Sequence, residues 1–183
     1  MLTSNQLQTL KTAVLADPTA AAYRTAGDSY SLKAWLDGAS ATNVWRTDAP
    51  VSAIIDAINW ANYTPNDAAD STVIYTNRAL LAQTKQMNLQ LMLQGRQTLD
   101  ASKANLRAGL RDAVIQVPTG TAGAMTSPGG ASGATVLNVC VRTATRAEAA
   151  LAGAPTQTGT VTASALTFEG PVDSDSVTWL INN

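Results

Sequence analysis

Catalysis needs side chains with matched proton affinities held at fixed distances. This chain of 183 residues carries 13 acidic and 12 basic side chains, a single cysteine and no histidine. Without histidine, the commonest general base and the commonest metal ligand are both missing. Cys140 lies in the apolar run VLNVCV. It reads as a buried inert thiol rather than a nucleophile, and a lone cysteine excludes an internal disulfide. No two carboxylates sit at a spacing that forces them together. Asp173 and Asp175 would point to different faces, and DSDSV lacks the glycine and closing glutamate of a calcium loop. GTAGAMTSPGG is glycine-rich but has no Lys-Ser/Thr end and follows no clear strand, so a flexible loop outweighs a phosphate cradle. Paired-carboxylate hydrolysis stays open as the one enzymatic reading. No catalytic residue, cofactor site or metal site is read from the sequence, and the chain is expected not to be an enzyme.

The remaining chemical signal is basic. Between Ser71 and Ala147 stand Arg78, Lys85, Arg96, Lys103, Arg107, Arg111, Arg142 and Arg146, against Asp100 and Asp112. At 100° per residue the first six fall within about 80° of one another on one continuous helix. That stripe would make Arg78, Lys85, Arg96, Lys103, Arg107 and Arg111 a docking face for an acidic partner or a phosphate track. The plainer reading is a solvated helix face, and a break near Gly95 would scatter the stripe. Arg111 is the one of the six expected to be tied up inside the subunit, beside Asp112.

A second stretch, VWRTDAPVSAIIDAINW (44–60), holds two tryptophans, an arginine and two aspartates. Asp48 or Thr47 is placed to cap a helix with Pro50 in its first turn. Val51, Ile54, Ile55 and Ile58 recur at helical spacing and are expected to bury one face. Arg46 can pair with Asp48 or Asp56. The stretch reads as a structural corner.

The elements around these residues are mostly helical. Thr3 and Gln6 have capping-box spacing ahead of a first helix. Asp17-Pro18 stops it and starts a second, which ends at Gly27. SYSLKAWLDG is a third, with Leu32, Trp35 and Leu36 on one face and Gly38 as its stop. ASATNVWRTD reads as a linker and NYTPNDAAD as a loop. From about 72 to 116 the pattern is helical, either two helices or one bent at Gly95 or Asp100. Residues 117–135 form a long Gly-rich loop, and VLNVCV is helix or strand. Thr145 and Glu148 repeat the capping-box spacing. The Thr-rich stretch after it is extended, ordered by neighbours, and DSDSVTWLINN closes in a short helix. The expected fold is mainly α: a small helical bundle, 1–152, with the loop 117–135, and an extended, possibly β, C-terminal arm, 153–183.

Composition bounds the rest. Net charge is −1, charged residues are 14% and aromatics 5%. Nothing global argues for nucleic acid or an anionic membrane. No apolar run spans a bilayer, and MLTSNQLQTL lacks the basic start and apolar run of a signal peptide. Manufacture inside a reducing cell is expected. A surface rich in amides and hydroxyls but poor in charge suits either a subunit buried in a larger assembly or a merely neutral domain.

Four phrases, in order, carry a resemblance: VWRTDAPVSAIIDAINWANYTP (44–65), NRALLAQTKQMNLQLMLQGRQTLDASKANLRAGLRDAVIQVPTG (77–120), RTATRAEAALA (142–152) and LTFEG (166–170). Together they look like a family of small tailed-bacteriophage proteins encoded among the virion genes, the neck or head-to-tail adaptor (connector) proteins. The resemblance implies a structural virion protein, mainly helical, forming a ring of about twelve copies under the portal. It implies as partners further copies of the chain, the portal protein and a tail or nozzle component. Packaged DNA would pass through the ring without specific binding, with no membrane involved. Its place would be the virion neck, after assembly in the host cytoplasm. The glycine-rich TSPGGASGAT and VLNVCV depart from the family pattern, where a helix is expected. The family brings no catalytic residues. The other readings are an assembly chaperone or scaffold, and a DNA-processing factor using the basic helix face.

Overall fold

A computed structural model describes residues 2–63, 75–114 and 135–183. Its helices, in chain order, are α1 (Ser4–Ala16), α2 (Pro18–Ala26), α3 (Ser29–Asp37), α4 (Val51–Asp56), α5 (Tyr75–Leu93), α6 (Ala104–Val114), α7 (135–139), α8 (Arg146–Leu151) and α9 (Ser174–Asn182). A 3-10 turn covers Trp60–Tyr63. The strands are β1 (Ala39–Trp45), β2 (Ala49–Pro50), β3 (Thr98–Leu99), β4 (Val141–Thr145), β5 (Pro155–Thr158) and β6 (Val161–Ser164). Helices predominate, but the class is mixed α/β: β4, β1, β6 and β5 line up in that order as one sheet, and β2 pairs with β3.

The chain gathers into two compact units. The first comprises Met1–Val44, Arg142–Thr156 and Ala163–Asn183; the second comprises Trp45–Val141 and Gln157–Thr162. The boundary expected at 152/153 is therefore not the division the structure makes. Nor is the C-terminal segment simply an arm: β5 and β6 form a hairpin turned at Gly159-Thr160, and α9 buries Val177 and Leu180 in the first unit's core.

In the first unit, local chemistry sets the helix ends. Thr3 and Gln6 close a capping box on α1. The Asp17 carboxylate accepts from the N–H groups of Thr19 and Ala20, with Pro18 in the first turn of α2. Gly27, at φ 69°, ends α2 in the left-handed region that suits glycine. Asp28 caps α3, Thr145 and Glu148 make a second capping box on α8, and Asp173 caps α9. These helices bury Leu10, Val14, Leu32, Leu36, Leu151 and Leu180 together. Each such side chain contributes roughly 1.5–3 kcal/mol.

The stretch read as a linker, ASATNVWRTD, holds a strand instead. β1 runs parallel to β6, with Val44 opposite Ser164. Its first residues are small and polar and alternate between exposed and half-buried, so no apolar period marks them. Pairing with strands distant in sequence makes this segment β.

In the second unit, α5 packs on α6 and the 3-10 turn packs on α5. The helical stretch expected from 72 to 116 is two helices. Gly95, at φ 71°, breaks it, and β3 then pairs antiparallel with β2, Ala49 opposite Leu99. VLNVCV divides: 135–139 is helical and β4 begins at Val141. Residues 117–134 of the Gly-rich loop lie outside the described residues, as do 64–74 of the loop after Tyr63.

The helix expected over 50–60 is shorter. It begins on Pro50, which makes no side-chain capping bond, so neither Asp48 nor Thr47 is its cap. It ends at Asp56, before Ile58 completes a second full turn of stripe. Val51, Ile54 and Ile58 are buried, but Ile55 is 39% exposed, correcting the expectation that it joins the core.

Candidate functional site

The six basic residues expected on one stripe do not share one continuous helix. Their alignment required a continuous helix, and Gly95 with the non-helical residues that follow it removes that condition. The side chain of Arg78 lies outside the described residues. The Lys85 ammonium donates to the main-chain carbonyl of Asp112, and burial lowers its pKa, partly offset by the Asp112 charge. Lys103 stands 3.8 Å from Asp100. Arg96 and Arg111 are exposed.

Arg107, not Arg111, is the one held inside. It is buried, and its guanidinium donates to the carbonyls of Ala101 (2.7 Å) and Ser102 (2.8 Å) and to the hydroxyl of Thr158 (3.1 Å). The same cation lies 4.3 Å from the centre of the Trp45 ring, a contact favoured by the negative face of the indole. Burial lowers the Arg107 pKa, while the nearby Cys140 opposes this. Cys140 is itself buried and pushed up to about 11, by burial first, so it stays a thiol. Trp45 and Arg107 are thus an internal clamp. Arg46 pairs with Asp48 at 3.1 Å, one of the two partners expected for it.

The surface of the second unit is less closed. On α5, Leu80, Met87 and Leu91 are 61%, 59% and 68% exposed. Spaced by seven and four, they fall within about 40° of one another, an apolar ridge about 16 Å long. Ala82, Leu89 and Leu93 are buried and project about 200° away from that ridge. The helix is therefore apolar on two opposite sides, and packing within the unit uses one of them.

Beside the buried side runs a groove of about 450 Å³. Val51, Ile55, Trp60, Leu89 and Leu93 make its apolar walls, Gln86, Gln90 and Gln94 its amide edge, and Gly95 and Arg96 its end. Trp60 is half-exposed and fixed in place: its indole N–H donates to the Ile55 carbonyl at 3.1 Å, and its ring leans on Tyr63 at 5.6 Å. Tyr63 in turn donates to the Ala113 carbonyl at 2.8 Å, and burial raises its pKa to about 12. Next to the ridge, Lys85, Asn88, Leu91, Met92, Gly109 and Asp112 line a second hollow, of about 420 Å³. Sequence reading missed both surfaces. The signal was present in the spacing of Leu80, Met87 and Leu91, seven and four apart on one helical face.

The densest polar cluster lies in the first unit. Arg142 grips Glu148 with two bonds, 2.7 and 2.8 Å, and reaches Glu169 at 3.2 Å. Glu148 also accepts from the N–H groups of Thr145 (2.9 Å) and Gly170 (3.1 Å). Burial alone would raise its pKa. The Arg142 bonds and the two N–H groups outweigh that and hold the carboxyl down to about 2. A buried carboxylate with every oxygen engaged is a structural clip, without the poise of a general acid or base. Among the described residues no group of three or more His, Cys, Asp or Glu could hold a metal ion, and no helix is long and apolar enough to cross a membrane.

No protein-family model, curated protein or solved structure matches this chain.

Proposed function

We propose that the chain is a structural virion protein, a head-to-tail adaptor whose copies form a ring joining the portal of a tailed-bacteriophage head to the tail. The observation that carries this reading is the second unit's uncovered apolar surface: the ridge on α5 and the groove on its other side. Contiguous apolar surface of this kind marks sites that a partner covers. The four phrases that resemble the adaptor family supply the setting, the virion neck, and the partners: further copies, the portal protein, and a tail or nozzle component. DNA passes through the ring without specific binding, and no turnover is involved.

A DNA-processing role would draw on the six basic residues as one helix face; the break at Gly95 and the burial of Arg107 weaken its motive. An assembly chaperone would use the same apolar surfaces but leave the finished particle. Mass spectrometry of purified virions, with a reconstruction of the neck, separates the two. The adaptor reading expects this chain in stoichiometric amounts at the head-tail junction. A chain abundant in infected cells and absent from virions would overturn it.

A further inference from the structure

Two features of the second unit are complementary to each other. One is convex: Leu80, Met87 and Leu91, without a charged side chain among them. The other is concave: the groove walled by Ile55, Trp60, Leu89 and Leu93. The groove's α5 residues Gln86, Leu89, Gln90 and Leu93 centre about 130° around the helix from the ridge, so the two surfaces are distinct. The ridge runs about 16 Å and the α5 wall of the groove, Gln86 to Leu93, about 10 Å, so the groove can take about two thirds of the ridge. Amides edge the groove, and an amide both donates and accepts, so it can meet another copy's surface without charge repulsion.

Charge fits the same pairing. Arg96 ends the groove, no acidic side chain lines it, and the guanidinium has no acidic partner among the described residues. At the ridge end, Asp112 borders the same hollow as Leu91. Lys85 also lines that hollow, its ammonium donating to the Asp112 carbonyl and lying in the field of the Asp112 carboxylate, which is exposed at the surface.

We infer that the α5 ridge of one copy seats in the α4–α5 groove of the next, with Asp112 of the first copy facing Arg96 of the second. This rests on the ring reading and names the surfaces that would build it. Because ridge and groove are different surfaces, the contact is head-to-tail. It propagates from copy to copy and closes into a ring where the rotation permits.

The test uses two single variants of the full chain. Ile55→Asp blocks the groove, and Leu91→Asp blocks the ridge. Both positions are exposed, so both variants should give the wild-type circular dichroism spectrum. In sedimentation velocity the wild type should form oligomers and each variant alone should be monomeric. An equimolar mixture should form heterodimers and nothing larger, because one intact ridge and one intact groove remain. Asp112→Arg in the copy with the intact ridge should weaken that heterodimer at least tenfold, and Arg96→Asp in its partner should restore it. If the groove-blocked variant alone still self-associates, ridge packs on ridge and the inference fails. It also fails if both variants oligomerise like wild type or if the wild type stays monomeric. These failures leave the adaptor reading to be judged separately by the presence of the chain in the neck.

Discussion

The two units place apolar and polar groups differently. In the first, Asp17, Asp28, Thr145 and Asp173 each cap a helix through the side chain, and the one buried carboxylate has Arg142 and two N–H groups around it. Its exposed large apolar residues, Leu15 and Tyr30, stand singly, as on any soluble surface. In the second, α4 starts without a side-chain cap, and Ile55, Trp60, Leu80, Met87 and Leu91 are all exposed on the two sides of α5. The first unit satisfies its groups internally. In the second, Leu80, Met87 and Leu91 on the ridge and Ile55 and Trp60 at the groove stay exposed among the described residues.

Substitutions can break that contrast, the largest effect first. Ile54 and Ile55 are neighbours on α4, one wholly buried and the other facing the groove. Ile54→Asp strands a charge in the core and should cost more than about 4 kcal/mol, enough to prevent folding of the second unit. Ile55→Asp should stay within about 1 kcal/mol of wild type. Urea unfolding followed by tryptophan fluorescence measures both, and equal losses would erase the distinction between core and groove.

Glu148→Gln tests the first unit. It removes the charge behind two of the Arg142 bonds, leaving Glu169 as the remaining anion, and should cost up to about 3 kcal/mol. A wild-type urea midpoint would mean the clip contributes nothing.

The same carboxylate makes stability depend on pH. Its folded pKa is about 2, below the ordinary 4.5. Its contribution is therefore fully present above the unfolded value and is lost as pH falls from about 4.5 towards 2, amounting to at most about 3 kcal/mol. Glu148→Gln should flatten the stability profile in that window. An unchanged acid limb would assign the loss to other carboxylates.

The smallest change sharpens the contrast locally. Asp17→Ala removes two hydrogen bonds at the start of α2 and should lower stability by about 1 kcal/mol, without altering oligomerisation. A change in oligomerisation would draw the first unit into docking.

What the sequence disclosed follows the range of the forces involved. The caps at Thr3, Asp17, Gly27, Gly38 and Thr145 were legible because a cap is decided within a few residues. The sheet was not. β1 depends on partners more than 100 residues away, and its Ala, Ser, Thr and Asn carry no period of two. Arg107 was misplaced for a similar reason. Helical spacing put it on a charged stripe, whereas Trp45 and the carbonyls of Ala101 and Ser102 come to it through tertiary folding. Ile55 shows the limit of periodicity itself. In the short α4 the residues at i and i+3, Val51 and Ile54, are buried while i+4 faces out, and Ile58 is buried from beyond the helix end.

The proposed docking requires the second unit's α5 ridge, exposed in the subunit, to be covered in the functional assembly. Hydroxyl-radical footprinting of the purified subunit and of intact virions tests it most directly. Met87 is a suitable reporter, since its sulfur is readily oxidised when exposed. In the free subunit, Leu80, Met87 and Leu91 should label strongly. In virions their labelling should fall several-fold, while Tyr30 of the first unit keeps its free-state level. Equal labelling of the ridge in both states would contradict the account.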